Sequence, residues 1–556
     1  MEEEYEGESL DDFVIKDKEF RKNKRIKRIK LLFIILAVLV VITALILVII
    51  YVLNINYGKI ICIYRTFEDN QTIELINSFK DDDEGNKELK FYLIIDEKKL
   101  EQKNSHTFKN PGNHTVTFVF KKRLTSLSNL FKGKDFLIEA DLSQLKAEEI
   151  KSLKRTFIEC YNLKKVKFDF PKSNQIEDMS NLFRNCSSLE FVSFNFSTEK
   201  VEDMRGMFEY CPSLISANLS EFKTPNLKYM DFMFNYCVNL KYVDLSNFNM
   251  ELVEDMIYTF QSCSNLLEIK LPKSYTKNLV LMTGVFKFCT KLEKLNIDFF
   301  LTDKVIDMKE TFQGLRNVKE LNVSHFNTGN VVDMQGLFSY CSSLTSIDLS
   351  NFNVSNLSSF DSFFKGCSQL KEVNLSSLYA PFLGNMEEMF MDCINIERIE
   401  LPQKLYGIYN FNFAFFNCRR LEYINLTQLD LNEDIISIES MFQNCYALKS
   451  VSFPSIEAEH LNSTKKMFYG CRSLEYIDMG DFLTDELISL DDMFKGCESL
   501  KKINMSKFYS KKSTSMNNIF DNTSKNFTII YNKDNNPNIT KQLELEKIDY
   551  NTENDL

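Results

Sequence analysis

The sequence contains no Trp and only four His among its 556 residues. His106 and His114 lie in the region before the repeats, and His325 and His460 lie in separate turns and loops of the repeats. No convergent set of catalytic or metal-binding groups is recognisable around them. No Gly-x-Ser-x-Gly motif, phosphate-binding loop or paired metal motif is present. We therefore predict a protein that is not an enzyme, with no catalytic residue, no cofactor and no metal site.

An excess of positive charge is also missing. The formal net charge is −11 and the calculated pI is about 5.3, which argues against a general nucleic-acid-binding role. Hydrophobic residues make up 44% of the chain, enough to bury a large core. The composition therefore indicates a folded protein whose partners are not nucleic acids.

A short phrase with a Phe three residues before a Cys recurs about every 26 residues. At three further stations, Phe131, Phe312 and Phe520 are in place, but Lys134, Leu315 and Thr523 occupy the cysteine slot. Sixteen units with one period predict a solenoid, in which each unit packs only against its neighbours. The thirteen slot cysteines are Cys160, Cys186, Cys211, Cys237, Cys263, Cys289, Cys341, Cys367, Cys393, Cys418, Cys445, Cys471 and Cys497.

Within one unit, positions are numbered here from the cysteine slot as zero. Apolar residues at −7, −4, −3 and 0 fit one face of a short helix. Apolar residues at +6 and +8 alternate with polar ones, as in a half-buried strand. We therefore predict helix, turn and strand in each unit, with the strands stacked into a parallel sheet.

The spacing of Leu344, Ile347 and Leu349 is the strand signature of a leucine-rich repeat. With Met-x-x-Met-Phe-x-x-Cys before it and Leu-Ser-x-Phe behind, the chain over residues 125–531 resembles the BspA-like leucine-rich-repeat family of surface antigens. The resemblance implies an α/β leucine-rich-repeat solenoid of about sixteen 26-residue repeats. It also implies a cell-surface protein active in adhesion.

The repeated Phe and Cys are interpreted as core residues. Phe at −3 predicts a buried spine, and the slot cysteines predict a column of free, buried thiols. Disulfides between neighbouring repeats remain an alternative for a few pairs.

The N-terminal region predicts a membrane anchor. Residues 1–30 form an acidic and then basic tail, and residues 31–53 are uncharged and long enough to span a bilayer. The apolar stretch is longer than that of a cleavable signal peptide and has no small residues at its exit. Because the basic run lies on its N-terminal side, we predict a single-pass type II plasma-membrane protein with its repeats outside.

Three further segments complete the predicted organisation. Residues 54–122 lack the repeat and read as a small β-rich domain, serving as a stalk or N-terminal cap. Residues 123–531 form the solenoid, and residues 532–556 form a polar C-terminal tail without periodicity.

The outward strand positions +5 and +7 form the candidate partner-binding face, suited to an extended protein or glycan. Its candidate residues are Phe191, Asn218, Tyr242, Asp244, Asn296, Asn322, Asp348, Asn374, Tyr423, Asn425, Tyr476 and Asp478. Several of these Asn begin Asn-x-Ser/Thr, and glycans there would move binding to other faces. Outside this column the candidate glycosylation sites are Asn70, Asn113, Asn195, Asn353, Asn462 and Asn538.

The sequence therefore predicts a membrane-anchored adhesion protein that binds extracellular protein or glycan. Two alternatives remain open: a receptor that signals through a partner subunit, and a structural component of a surface coat. The oligomeric state is left open.

Overall fold

The fold begins with a long apolar helix and continues as a stacked solenoid. The computed structural model describes residues 10–54, 56–77, 89–402, 405, 407–429, 435–457, 460–479, 482–484, 487–506, 514–534 and 536–546. Helix α1 covers Leu10–Asn54 and includes one stretch, Asp17–Val48, that is long and apolar enough to cross a membrane. Residues 1–9 of the predicted cytoplasmic tail lie outside the described residues.

The remaining elements are short strands and one further helix. The strands are Gly58–Thr66 (β1), Gln71–Glu74 (β2), Phe91–Ile95 (β3), Lys98–Leu100 (β4), Ser105–Phe108 (β5), Gly112–Phe120 (β6), Leu137–Leu145 (β7), Lys165–Asp169 (β8), Phe191–Asn195 (β9), Ser216–Ala217 (β10), Tyr242–Asp244 (β11), Glu268–Lys270 (β12), Glu372–Asn374 (β13), Arg398–Glu400 (β14), Tyr423–Asn425 (β15), Ser450–Ser452 (β16), Ile456–Glu457 (β17), Tyr476–Asp478 (β18), Phe482–Leu483 (β19), Lys502–Met505 (β20) and Thr528–Tyr531 (β21). Helix α2 is Pro537–Glu546.

The first sheet joins the N-terminal region to the solenoid. Its strand order is β4-β3-β6-β1-β7-β8-β9. Strand β1 runs antiparallel to both β6 and β7, whereas β7, β8 and β9 run parallel, one per repeat. The sheet of the repeats thus continues directly from that of the preceding region.

Each repeat forms one rung, and the rungs stack about a buried spine of Phe rings. Neighbouring rings are 5.2–6.3 Å apart between centroids and lie nearly parallel. The spacing of about 26 residues and the solenoid architecture therefore agree with the prediction. The stacked rings are Phe131, Phe157, Phe183, Phe208, Phe234, Phe260, Phe286, Phe312, Phe338, Phe364, Phe390, Phe415, Phe442, Phe468, Phe494 and Phe520.

The predicted short helix in each repeat is wrong, because two consecutive tight turns occupy positions −7 to 0. In the second rung, Arg155 and Glu159 have φ of 53° and 63°, a left-handed conformation that an α-helix does not contain. The N–H of Phe157 donates to the next rung (Leu182 O, 3.0 Å), and the N–H of Cys160 donates within its own rung (Phe157 O, 3.2 Å). Alternate amides thus hold neighbouring rungs together.

The slot cysteines are free and buried, as predicted. Each thiol donates to the carbonyl oxygen of the Phe at −3 in the preceding rung, for example Cys186 Sγ to Phe157 O at 3.0 Å. Burial raises the pKa of Cys237 to about 12, so the thiol stays protonated and unreactive at neutral pH.

Both ends of the described solenoid are covered. In the first rung, Lys134 Nζ bonds to Glu74 Oε2 of β2 at 2.9 Å. At the other end, β21 pairs with β20, and α2 buries Ile539 and Leu543. The segment predicted as a polar tail without periodicity therefore includes a helix whose two buried apolar residues are four apart.

Candidate partner-binding surface on the strand face

The strand side of the solenoid presents alternate residues to solvent. In β11, Tyr242 is 50% exposed whereas Val243 is 3% exposed. The strands are in register, with Tyr242 opposite Ser216 on one side and Glu268 on the other. Equivalent positions therefore form straight columns across the rungs, with +5 and +7 facing outward.

The predicted aromatic residues fall into two separate groups. Phe191 and Tyr242 lie two rungs apart and flank the small side chain of Ser216. Tyr423 and Tyr476 likewise lie two rungs apart, with Ser450 in the rung between them. We call these the N-terminal and C-terminal aromatic clefts. The four aromatic side chains are 40–56% exposed.

Four of the predicted residues lie between the clefts, in rungs without an exposed aromatic residue at +5. The side chains of Asn296, Asn322, Asp348 and Asn374 are all exposed. The predicted set is therefore not one continuous site. It comprises two aromatic clefts joined by a polar stretch.

A shallow depression of about 290 Å³ adjoins the N-terminal cleft and extends from Ser216 past Tyr242 to Glu268 in the following rung. It combines the face of Tyr242 with an amide at Asn218 and charged groups at Asp244, Glu268 and Lys270. Lys270 Nζ lies 3.1 Å from Asp244 Oδ2. Hydrogen bonds from Ser246 and the nearby Lys270 hold the pKa of Asp244 below its usual range. A ligand with both apolar and hydrogen-bonding groups would suit this lining.

The Asn and Asp column at +7 also closes a turn. Asn374 Oδ1 accepts hydrogen bonds from the backbone N–H of Ser376 at 2.9 Å and from its hydroxyl at 2.7 Å. The same turn is built from Asn425 with Thr427. This is the local bonding for which Asn, Asp and Ser are favoured in turns. The repeated Asn-x-Ser/Thr phrase is therefore explained by folding.

The other candidate glycosylation residues are scattered over the surface. Four have exposed side chains and two are half-buried. Asn195 Nδ2 donates to Asp169 Oδ1 at 2.6 Å in the neighbouring rung, so its amide nitrogen is already engaged. The exposed group is Asn70, Asn113, Asn195 and Asn353, and the half-buried pair is Asn462 and Asn538.

The sequence interpretation missed a polar cluster on the turn side of the solenoid. Asp231 is buried, and one of its carboxylate oxygens has no hydrogen-bond partner. It faces Asp255 from the next rung, and Arg205 and Asp203 from the preceding rung. Burial, reinforced by Asp255, raises the pKa of Asp231 to about 7. The same position, −6, is also acidic at Asp361, Glu387, Glu439 and Asp491, so the sequence alone did not single out Asp231.

Asp231→Asn is expected to stabilise the protein above about pH 7. With the carboxyl pKa raised from its ordinary 3.8 to about 7, the native state holds a proton that the unfolded chain releases. The contribution of the Asp231 carboxyl to stability is therefore most favourable below pH 3.8 and is lost as the pH rises toward 7. Urea unfolding measured between about pH 4 and 8 should show the variant becoming progressively more stable relative to the parent protein. The difference in free energy of unfolding should then stay constant at higher pH.

Asp348→Asn serves as the control for that series. The pKa of Asp348 is lowered, chiefly by the backbone hydrogen bond from Ser350, so the sign of its pH dependence is opposite. The raised pKa of Asp231 would be contradicted if the difference in stability between Asp231→Asn and the parent did not change with pH.

The histidines do not assemble a reactive centre. His106 and His114 both contact the ring of Phe108, at 4.6 Å and 4.1 Å. His325 Nε2 lies 3.2 Å from the carbonyl oxygen of Ile297. Among the described residues, no three His, Cys, Asp or Glu side chains are placed to hold a metal ion.

These features define a class of repeat solenoid with an apolar N-terminal helix and an exposed strand face. Residues 105–193, 177–294, 280–401 and 409–545 each match the family described as "Mycoplasma protein of unknown function, DUF285". Since the matches cover well over half of the chain, the chain belongs to this family. No curated protein matches it.

Several solved structures of repeat proteins are similar over most of the chain. A leucine-rich-repeat protein of Leptospira interrogans is 11% identical with a TM-score of 0.23, covering 71% of this chain and 91% of its own. One from Eubacterium ventriosum is 16% identical with a TM-score of 0.23, covering 67% and 80%. The chain in the TLR13–ssRNA13 complex is 15% identical with a TM-score of 0.18. The match covers 69% of the present chain but only 62% of the length of that chain. Scores this low carry no inference about fold or ligand.

Proposed function

We propose that this protein is a membrane-anchored surface protein whose strand face binds an extracellular protein or glycan in adhesion. The observation that carries the proposal is the pair of aromatic clefts on an otherwise polar face. Exposed aromatic residues are enriched at the centres of protein-binding surfaces. The resemblance to BspA-like leucine-rich-repeat proteins supports the same role.

Helix α1 supports the anchoring part of the proposal. The side chains of Leu32, Phe33 and Leu47 are each at least 65% exposed. An apolar surface of this extent is stable only when another apolar phase covers it. The basic residues before Leu31 favour a cytoplasmic N-terminus and an extracellular solenoid.

The length of the strand face supports an extended partner. Sixteen rungs about 4.8 Å apart give a face on the order of 75 Å long. The covered ends of the solenoid argue against a surface coat built by end-to-end stacking, because β21 and α2 leave no open rung at the C-terminal end of the described chain.

Removing the aromatic side chains of one cleft is expected to weaken binding without unfolding the protein. Double variants Phe191→Ala/Tyr242→Ala and Tyr423→Ala/Tyr476→Ala each remove two exposed rings. Binding of the full-length protein to a glycan array and to immobilised extracellular-matrix proteins should weaken about tenfold or more for at least one variant.

Tyr379→Ala/Phe382→Ala is the matched control, because these rings are 63% and 71% exposed but lie in an inter-repeat loop. All three variants should melt at nearly the parent temperature. Equal binding by the parent and both cleft variants would refute the strand face as the binding surface.

A further inference from the structure

The folded domain starts almost at the end of the apolar helix. Helix α1 ends at Asn54, and the backbone N–H of Tyr57 already donates to Phe120 O in the sheet at 2.9 Å. Three residues reach at most about 11 Å even when fully extended. In a bilayer-anchored chain, this edge of the sheet therefore lies within about 11 Å of the end of the helix.

Basic side chains are concentrated at that edge. Because β3, β6, β1 and β7 are antiparallel neighbours, the starts of β3 and β1 and the ends of β6 and β7 meet there. We call the cations at this edge the basic rim. It consists of Lys90, Lys121, Lys122, Arg123 and Lys146, all exposed.

Direct contacts tie the rim to the exit segment. Lys146 Nζ donates to the carbonyl oxygen of Asn56 at 2.9 Å. The guanidinium of Arg123 lies 5.9 Å from the centroid of the Tyr57 ring. The backbone N–H of Lys121 donates to Lys90 O at 2.8 Å. The cations therefore surround the point at which the chain leaves the helix.

The charge at this edge is opposite in sign to that of the whole protein. Its five cations are accompanied, among the described residues at this edge, by three exposed acidic residues, Glu101, Glu148 and Glu149, of which Glu149 pairs with Arg123. The opposite end of the same sheet carries acidic and basic side chains in nearly equal number: Glu68, Asp69, Asp96 and Glu97 with Arg65, Lys98 and Lys109, all exposed. The excess of positive charge in the small domain is thus at the edge next to the helix, although the complete chain has a net charge of −11.

We propose that the basic rim rests on the membrane surface and binds the phosphate groups of anionic phospholipids. Clustered Lys and Arg beside a membrane span attract an anionic surface within about a Debye length, ~8 Å at physiological ionic strength. Tyr57 has the amphipathic ring that suits the interface. The rim fixes how the small domain is seated on the bilayer. This inference rests on the proposed membrane anchoring.

The absence of Trp supplies a clean reporter for the test. Tyr92 lies on β3, two strands away from β1, and Lys121 Nζ is 5.6 Å from its ring. A Tyr92→Trp protein therefore carries a single Trp beside the rim. The full-length protein is placed in nanodiscs of phosphatidylcholine alone or mixed with phosphatidylglycerol. Quenching of Trp by headgroup-labelled lipid is then measured.

Quenching in the anionic discs is expected to exceed that in neutral discs by about twofold and to fall as salt is raised. A Lys90/Lys121/Lys122/Lys146→Gln variant should lose this difference. Its Trp quenching should be nearly equal in anionic and neutral discs. The charge-matched control neutralises exposed lysines on later rungs and should behave like the parent. Its substitutions are Lys241→Gln, Lys294→Gln, Lys319→Gln and Lys371→Gln.

The outcomes separate the two proposals. If the protein stays in the discs through a high-salt wash but quenching is the same in both lipids, the rim inference is wrong and the anchor stands. If the protein washes off the discs, the anchoring proposal fails and the rim inference fails with it. The salt series on the protein with intact lysines tests the rim even if the quadruple variant does not fold.

Discussion

Phe338→Ala is expected to destabilise the protein by about 3–5 kcal/mol, because it removes one ring from the middle of the buried spine. Phe338 is fully buried, with its ring centroid 5.9 Å from that of Phe312 and 5.7 Å from that of Phe364. The neighbouring ring of Phe363, 5.4 Å from that of Phe338, is itself buried in the core, so it can fill the cavity only by leaving its own packing. Urea unfolding and the melting temperature report the loss.

A solenoid adds a second expectation for the same variant. Each rung contacts only its neighbours, so a weak interface in the middle tends to separate the array into halves. Hydrogen exchange should therefore accelerate most in the rungs around Phe338. Phe382→Ala, at a 71% exposed site, is the control and should change little. A melt of Phe338→Ala that matches the parent would contradict the spine.

Gly366→Ala is expected to cost about 1–3 kcal/mol, because the added methyl group meets two separate obstacles. Gly366 has φ of +72°, which favours glycine, and a Cβ there would lie 2.7 Å from Cδ1 of Tyr340 in the preceding rung. The Tyr340 ring must move, or the turn must open. Denaturant unfolding measures the loss.

Two variants separate the obstacles. Gly133→Ala has a similar φ of +66° with open space around the added methyl group, so it should lose only the backbone contribution, about 1 kcal/mol. In a double-mutant cycle, Gly366→Ala should cost less stability in a Tyr340→Ala background than in the parent, because the ring that the added methyl group meets is then absent. Equal losses for Gly366→Ala and Gly133→Ala would show that ring packing adds nothing.

The repeat period and the core were predictable from the sequence, whereas the backbone of the turns was not. Phe and Cys recur in phase, and +6 and +8 alternate with polar residues, so the spine and the strand columns followed directly. A helix and two consecutive tight turns both point residues i, i+3, i+4 and i+7 inward. Gly or Asn at −5 or −1 distinguishes the turns in some repeats, as at Gly206 and Asn185, where φ is positive. Other repeats have residues such as Arg155 and Tyr236 at these positions, also with positive φ, so the signal is only partial.

The candidate surfaces were predictable only in part. The outward columns followed from alternation, but their division into two clefts depends on which rungs are neighbours in space, with Ser216 and Ser450 between the aromatic residues. The role of Asn374 in closing a turn required knowledge of its bonds to Ser376. The basic rim includes Lys90 and Lys146, which are distant in sequence and are placed at the same edge of the sheet only by strand pairing.

Protease treatment of intact cells, followed by detection of the repeats with an antibody against permeabilised controls, tests the central claim most directly. The account predicts that the repeats are lost from intact cells, because the solenoid lies outside the membrane and α1 holds it there. Repeats that remain protected until permeabilisation would contradict the surface location and the adhesion proposal together.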